Sequence, residues 1–244
     1  MNKYKIVLEY DGSNYVGWQK QENGKSIQES IEIAIQKLIG EKTIVHGAGR
    51  TDSGVHAKAQ VAHFEINKIF ETDKIRDGLN QYLRSETIAV LKAEKVNEDF
   101  HARFSAKLRY YQYRVINRRP HLTLENNRAW CVHKKLDIKK ILKESTYFKG
   151  KHDFESFRSI DCQSAKSVKT VNFFLVNHQD DNVTFNVCAK SFLHSQVRIM
   201  VGTLIDIGKG IIKKPLLEII ESKKRSFAGT TAPAHGLYLK KIDY

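Results

Sequence analysis

The spacing of apolar residues predicts that the chain opens with a strand and continues into a helix. Apolar and aromatic residues occupy alternate positions from residue 4 to residue 10, which is typical of a half-buried strand. From 27 to 38 they recur every three or four positions, as on one face of a helix. Ser26 and Glu29 match a capping box before this helix, and Gly40 lies just past its end.

The same two patterns continue along the chain. Further strands are predicted at residues 43–48, 60–65, 88–96, 108–116, 168–178 and 183–189. Further helices are predicted at residues 73–83, 137–147 and 196–207, and after Pro215. This succession of strands and helices, repeated in the second half without a residue-level repeat, predicts an α/β fold of two tightly packed subdomains. We place these subdomains at residues 1–104 and 105–244.

The composition is that of a folded protein, which we expect to be soluble and cytoplasmic. With 244 residues, of which 41% are hydrophobic, the chain can bury a core. It has no run of about 18 apolar residues, and its strand-like start does not resemble a secretory leader. The three cysteines are far apart and outside any Cys-x-x-Cys motif, so neither a disulfide framework nor a thiolate metal site is indicated.

The charge balance indicates the kind of partner. The chain has 41 Lys and Arg against 27 Asp and Glu, a net charge of +14, and such an excess favours a polyanion. Nucleic acid is the leading candidate. One alternative is that the lysines only keep the protein soluble. An anionic membrane surface is less favoured, because no amphipathic helix with a basic polar face is evident.

Residues 47–56 bring three glycines, an arginine, a carboxylate and a histidine into one loop. Asp52 is the candidate catalytic carboxylate. Arg50, two residues away, can face the same substrate and favour the charged form of that carboxylate. The alternative is that Asp52 only forms a turn between glycines. A phosphate-binding loop is weakly supported, because the spacing of neither a Walker loop nor a dinucleotide fingerprint is present.

Histidines do not point to a metal. His46, His56 and His63 lie near the loop, but their spacing matches no zinc pattern and no acidic cluster accompanies them. We therefore expect no metal. His56, His101, His152 and His194 could contact phosphates or bases, but a structural hydrogen bond is the simpler role for each of them.

Aromatic and basic residues alternate from 109 to 114. On a strand, Tyr111 and Tyr113 would share one face and Tyr110 would lie on the other. An aromatic ring beside arginines can hold an extruded nucleobase. The alternative is that these tyrosines fill the core, which we expect for at least one of them.

Arg198 lies among apolar residues in the first turn of the predicted helix 196–207. A buried arginine normally needs a carboxylate or phosphate partner. Asp52, distant in sequence, is one candidate for that partner.

Taken in order, these segments resemble the tRNA pseudouridine synthase A family over nearly the whole chain. The residues that carry the resemblance are Asp11-Gly12, Gly17-Trp18-Gln19, Gly49-Arg50-Thr51-Asp52, Gly54-Val55-His56-Ala57, Phe100-His101-Ala102-Arg103-Phe104, Arg109-x-Tyr111-x-Tyr113, His152-Asp153-Phe154-x-Ser156-Phe157, Val197-Arg198 and Ala232-Pro233-x-x-Gly236-Leu237. Singly, several of these motifs are weak, but in this order they are highly specific.

The resemblance implies both a fold and a site. The fold would be that of pseudouridine synthases, two similar subdomains with mixed, largely antiparallel sheets flanked by helices. The first subdomain would carry the Asp52 loop, and the second would complete the cleft. Asp52 would be the essential aspartate, with Arg50 in its loop. Tyr111 would stack on the target uracil, Arg198 would pair with Asp52, and Leu237 would line the pocket beneath the base.

The resemblance also implies how the family works. Its members act as homodimers on the anticodon stem-loop of tRNA, at positions 38, 39 and 40, without cofactor or metal. The chain departs from the family's usual residues at three positions, with Ser53 in place of Ala, Gln196 in place of Met and Ile199 in place of Asn. None of these departures removes a catalytic group.

The implied chemistry needs one carboxylate and no redox carrier. Such a group can attack as a nucleophile or abstract a sugar proton to form a glycal, and the sequence leaves both routes open. Two other functions compete with isomerisation: a non-catalytic RNA-binding module, and an N-glycosidase that releases uracil. The second would need a carboxylate to activate water, and no clear candidate accompanies Asp52.

Overall fold

The alternating residues at the N-terminus form a strand, β1 (Asn2–Tyr10), in the computed structural model of the protein, which describes residues 1–244. One face of β1 is fully buried through Tyr4, Ile6 and Leu8. The side chains between them are more exposed. The alternation of apolar residues in the sequence thus corresponds to a strand with one face in the core.

The remaining elements follow in chain order. The strands are β2 (His46–Gly47), β3 (His56–Ile66), β4 (Ile88–Val96), β5 (Leu108–Asn117), β6 (Trp130–Val132), β7 (Gly150–Asp153), β8 (Val168–Gln179), β9 (Asn182–Ala189) and β10 (Leu237–Asp243). The helices are α1 (Ile27–Ile39), α2 (Thr72–Tyr82), α3 (Ile138–Ser145), α4 (Gln196–Gly208) and α5 (Leu216–Ser222). None of these helices has the length and apolar character that crossing a membrane requires.

The chain divides into two compact units. The first unit consists of residues 1–107 and 238–244, and the second of residues 108–237. In the first unit the strand order is β4-β1-β3-β10, and β2 adds to β3. β1 is antiparallel to both of its neighbours, whereas β10 runs parallel to β3.

In α1 half of the predicted capping box is confirmed: Ser26 caps the helix, but the Glu29 side chain does not bond back to the Ser26 amide. The Ser26 hydroxyl accepts a hydrogen bond from the Glu29 amide at 3.2 Å, and Gly40 ends the helix in a left-handed conformation with φ 82°. The Glu29 carboxylate pairs with Lys20, so its side chain is engaged outside the helix. Ile31 and Ile35 are fully buried and fix this helix on the core.

In the second unit the strand order is β5-β9-β8-β7, and these strands pair antiparallel throughout. β6 pairs with β5 in parallel. Nearly every side chain of α4 is buried, from Val197 through Met200 and Leu204 to Ile207. This helix is therefore the core element of the unit.

The α/β fold class with mixed, largely antiparallel strands is confirmed, and most predicted elements match the structure within a few residues. The predicted strand 43–48 is too long, because only the two residues of β2 pair. β6, β7 and β10 were not predicted. β6 and β7 are short, at three and four residues, and are therefore difficult to recognise from alternation.

Candidate active site

The glycine-rich loop is fixed at its entry by β3. The Gln60 side-chain amide donates a hydrogen bond to the Gly49 carbonyl oxygen at 2.8 Å. The Ala48 amide donates to the Val61 carbonyl oxygen, also at 2.8 Å. Gln60 is fully buried, so a polar side chain placed in the core is used to hold loop backbone.

The residue before Asp52 is anchored twice. The Thr51 hydroxyl lies 2.9 Å from the Tyr10 hydroxyl of β1, and the contact is buried. The Trp18 amide donates to the Thr51 carbonyl oxygen at 3.0 Å. The backbone leading into Asp52 therefore has little freedom.

Gly17 allows this close approach. A Cβ atom at Gly17 would lie 2.6 Å from the Thr51 carbonyl oxygen, closer than real Cβ atoms come to backbone. Its φ of +116° is also one that glycine adopts readily and other residues do not. The Gly17-Trp18 motif thus has a structural reason: it lets the 11–18 segment support the Asp52 loop.

On its other side, Asp52 is held by Ser53 and Val55. The Ser53 hydroxyl donates to the Tyr15 carbonyl oxygen at 3.1 Å, and the Val55 amide donates to the Asp52 carbonyl oxygen at 3.1 Å. Asp52 itself is partly exposed, and Arg50 is exposed. The loop thus presents a carboxylate on backbone that is fixed before and after it, with a cation two residues away.

His56 follows the loop and is buried, with 3% of its surface exposed. Its Nδ1 lies 3.1 Å from both the Gly12 amide nitrogen and an Asp11 carboxylate oxygen. The Gly12 amide donates to Nδ1 of His56. Its ring packs against Tyr238 of β10, with centroids 4.8 Å apart. We read His56 as a support for the loop.

Three histidines do meet in the first unit, although only two of them, His46 and His63, belong to the three considered for a metal in the sequence. His63 lies with its ring centroid 5.0 Å from that of His46 and 4.6 Å from that of His101. The Nδ1 atoms of His63 and His101 accept backbone amide hydrogen bonds from Ala102 and Arg103. No group of His, Cys, Asp or Glu side chains in the structure is arranged to hold a metal ion.

In the second unit, Tyr111 and Tyr113 lie on the same face of β5, and they differ in environment. Tyr113 is fully buried, and its hydroxyl donates to the Pro233 carbonyl oxygen at 2.7 Å. Burial raises the pKa of the Tyr113 hydroxyl. Tyr111 retains 9% exposure and meets Phe192 edge-on at 5.4 Å. Tyr113 is thus the core residue expected among the tyrosines.

Arg198 is partly exposed at the start of α4 and is tied to the segment before β10. Its Nε donates to the Ala232 carbonyl oxygen at 2.8 Å, and the Ala232 amide donates to the Arg198 carbonyl oxygen at 3.1 Å. The pairing of Arg198 with Asp52 stays a prediction. Leu237, the first residue of β10, is buried with 6% exposure. Gly236 precedes it and packs against the Tyr113 ring.

The three departures from the family's usual residues all have structural roles. Ser53 supplies the hydrogen bond to Tyr15 described above, which alanine could not make. Gln196 is buried, and its side-chain oxygen accepts from the Leu193 amide at 2.8 Å. Ile199 is buried in the core with 1% exposure. All three residues therefore stabilise local structure.

Sequence reasoning found the loop but missed the residues that hold it. Tyr10, Thr51 and Gln60 were not singled out. Tyr10 and Gln60 form hydrogen bonds to the loop, and Thr51 is the loop residue that contacts Tyr10 of β1. Tyr10 and Thr51 are 41 positions apart, so no local pattern could pair them. The polar Gln60 within an apolar strand was the one visible sign.

A family model described as tRNA pseudouridine synthase matches residues 6–105 and again residues 145–244. The chain belongs to the tRNA pseudouridine synthase family. Members of this family are isomerases that convert uridine to pseudouridine in tRNA, so the resemblance found in the sequence is confirmed. The repeated match also agrees with two subdomains of similar construction.

Individual relatives agree with the family match. A tRNA pseudouridine synthase A of Ehrlichia ruminantium (strain Gardel) is 51% identical over 244 residues, covering 99% of each chain. One of Anaplasma phagocytophilum (strain HZ) is 47% identical, covering 99% of this chain and all of the relative. One of Methylocella silvestris is 45% identical, covering all of this chain and 99% of the relative. The similarity therefore extends from end to end.

Proposed function

We propose that the protein isomerises uridine to pseudouridine in the anticodon stem-loop of tRNA, at positions 38, 39 and 40, with Asp52 as its catalytic carboxylate and no cofactor. The observation that carries this proposal is the setting of Asp52. Its carboxylate is partly exposed, whereas the residues on both sides are fixed by hydrogen bonds with Tyr10 and Tyr15. A preorganised, accessible carboxylate is what attack at a sugar carbon requires.

The reaction balances within one nucleotide. The bond between C1′ and N1 of uracil breaks, the base turns, and a bond forms between C1′ and C5. The C5 proton is lost to solvent, and N1 gains one. Asp52 acts either by attacking C1′ or by removing a sugar proton, and in both routes the same carboxylate starts the reaction.

The other site residues take supporting roles in this proposal. Arg50 would contact the substrate beside Asp52, and Arg198 would pair with the Asp52 carboxylate. Tyr111 would stack on the uracil, which fits a ring that retains some exposure on a rigid strand. Leu237 would line the pocket beneath the base.

We further infer that the enzyme is a cytoplasmic homodimer, as the family resemblance implies. One tRNA would then be bound across both subunits. Light scattering at working concentration measures the mass directly. A monomer with full activity contradicts the dimer and leaves the proposed reaction intact.

The test of the catalytic role is Asp52→Asn. This change keeps the size of the side chain and removes its charge, so tritium release from uracil C5 in labelled tRNA should fall below detection. Affinity for tRNA, measured by filter binding, should be equal or tighter, because an anion is lost near phosphates. Asp99→Asn is the matched control, since Asp99 is exposed in the same unit and forms no ion pair.

The outcomes separate the competing functions. Normal tritium release by Asp52→Asn would overturn the catalytic role of Asp52. Loss of binding together with activity would make the residue structural. Free uracil among the products of the wild-type protein would identify an N-glycosidase, and binding without any product would identify an RNA-binding module. Mapping pseudouridine in the treated tRNA tests positions 38, 39 and 40.

A further inference from the structure

Half of the protein's net charge lies in one stretch of thirty residues. Residues 114–143 contain nine Lys and Arg and two Asp and Glu, a net charge of +7 against +14 for the whole chain. The whole stretch also lies within residues 106–144, between the two segments that the family model matches. It is therefore a concentrated feature of this chain, outside the matched segments that contain Asp52, Arg198 and Leu237.

The fold gathers part of this charge at the end of β5. The Asn117 side-chain amide donates to the carbonyl oxygens of Val132 and Lys134 at 2.7 and 2.9 Å. His133 Nδ1 lies 2.9 Å from the Arg119 carbonyl oxygen. These bonds join the end of β5 to the segment after β6. We define the basic surface as Arg118, Arg119, His133, Lys134 and Lys135.

No carboxylate neutralises the basic surface. Neither its two arginines nor its two lysines form an ion pair, and Arg118 Nε is buried without a hydrogen-bond partner. The two acids of the stretch are engaged elsewhere: Glu125 pairs with Arg114 at 2.7 Å, and Asp137 caps α3 by accepting from the Lys140 amide. Elsewhere, by contrast, Lys3, Lys5 and Lys25 all pair with glutamates. The four cations therefore remain available to a ligand.

Tyr111 lies on β5, and the basic surface lies beyond the end of that strand. Six residues of β5 separate Tyr111 from Asn117, which at about 3.3 Å per residue is roughly 20 Å. An RNA strand that places a base on Tyr111 could therefore reach the basic surface a few nucleotides away. Arg119, Lys134 and Lys135 are exposed, and such side chains suit phosphate contact without base reading.

We propose that the basic surface binds the phosphate backbone of tRNA at a distance from the target nucleotide. This inference rests on the proposed function, since the tRNA is taken to be the substrate. RNA is favoured over a small anion because the cations are spread along the ends of two paired strands. Their contribution is sequence-independent affinity, which falls with salt as counterions compete for the phosphates.

The experiment compares two triple variants that lose the same charge. R119Q/K134Q/K135Q changes the basic surface, and K42Q/K74Q/K213Q changes exposed lysines elsewhere that form no ion pair. The logarithm of the tRNA association constant is measured against the logarithm of salt concentration. For the first variant we expect a slope shallower by about 2, and affinity lower by about a hundredfold at 0.1 M salt. The control should remain close to the wild type.

Two results would overturn this inference: a slope and affinity of R119Q/K134Q/K135Q equal to those of the control, or unchanged tRNA affinity with lost binding to vesicles of anionic lipid. The second would assign the surface to a membrane. The proposed function is tested separately, by pseudouridine formation with the wild-type protein. If no pseudouridine forms, the proposed isomerase function is refuted, and the salt slopes still measure contact with RNA. If the triple variant unfolds, K135Q alone should lower the slope by about 0.8.

Discussion

The hydroxyl groups of Tyr10 and Thr51 lie 2.9 Å apart in the interior of the first unit. This contact joins the last residue of β1 to the residue preceding Asp52. Tyr10 and Thr51 are 4% and 7% exposed, so neither hydroxyl has water as a ready substitute. The contact therefore sets the position of the loop as well as adding stability.

Tyr10→Phe should slow the reaction by misplacing Asp52. We expect kcat to fall about tenfold, with the KM for tRNA nearly unchanged and a stability loss of about 1 kcal/mol. Thr51→Val should have the same effects, and the double variant should be little worse than either single one, because both remove one interaction. Steady-state kinetics with tRNA and urea denaturation measure the two quantities.

Tyr4→Phe is the control for that series. Tyr4 lies on the same strand and is fully buried, and its hydroxyl donates to the Phe70 carbonyl oxygen at 3.0 Å and accepts from the Phe70 amide at 2.9 Å. Its loss should cost at least as much stability without lowering kcat. An equal fall in kcat for Tyr4→Phe would show that general destabilisation, and not loop position, explains the Tyr10 result.

Tyr111→Phe should keep substantial activity, whereas Tyr111→Leu should lose turnover by about tenfold to a hundredfold. The reason is that the aromatic face, not the hydroxyl, stacks on the base. Tritium release under saturating tRNA is the measurement. If Phe is as inactive as Leu, the hydroxyl carries the role and the stacking assignment is wrong.

Gly202→Ala should destabilise the protein, although alanine usually strengthens a helix interior. A Cβ at this position of α4 would lie 1.8 Å from the Thr230 carbonyl oxygen, so backbone must move. We expect a loss of about 1–3 kcal/mol in urea denaturation. Gly78→Ala in α2 is the control, because its Cβ would meet only the flexible end of Leu38. Unchanged stability of Gly202→Ala contradicts the tight packing of this segment.

Acid should destabilise the protein through His63. Burial, with His101 and His46 nearby, lowers the pKa of His63 to about 4 from an ordinary value of 6.5. Between these values the unfolded chain binds a proton that the folded chain does not, so stability falls as pH falls from 6.5 towards 4. Below that range the effect is complete. Its size is at most about 3.5 kcal/mol, at about 1.4 kcal/mol per pKa unit.

The measurement is the free energy of unfolding in urea at several pH values. His63→Asn should be less stable at neutral pH and should show a shallower loss between pH 6.5 and 4. His101 retains part of the slope, because burial also lowers its pKa. His178→Asn, at an exposed position, should leave the slope intact. An unaltered slope in His63→Asn would mean that other groups cause the acid sensitivity.

Much of this fold could be predicted from sequence, because long elements with one buried face leave a periodic trace. The Ser26 cap, the buried stripe of α1 and the alternation in β1 are local features, and all three match the structure. The Asp52 loop was recognisable for a related reason. Its unusual residue types lie within ten positions of one another.

The anchors of the loop could not be predicted in the same way. Thr51 meets Tyr10, and Gly49 meets Gln60, through contacts that depend on how strands pair and not on neighbouring residues. β10, which was not predicted, pairs with β3, a strand that begins at residue 56 and is therefore far away along the chain. Pairing between such distant segments is decided by packing of the whole unit.

β10 also makes the order of synthesis matter. The strand that pairs in parallel with β3, beginning beside His56, is made after the whole second unit. During translation the Asp52 loop would therefore emerge early, while its sheet still lacks the strand that covers His56. We expect the first unit to complete its folding only when residues 238–244 have left the ribosome. A chain truncated before residue 238 would carry Asp52 but would lack the strand that pairs with β3 beside His56.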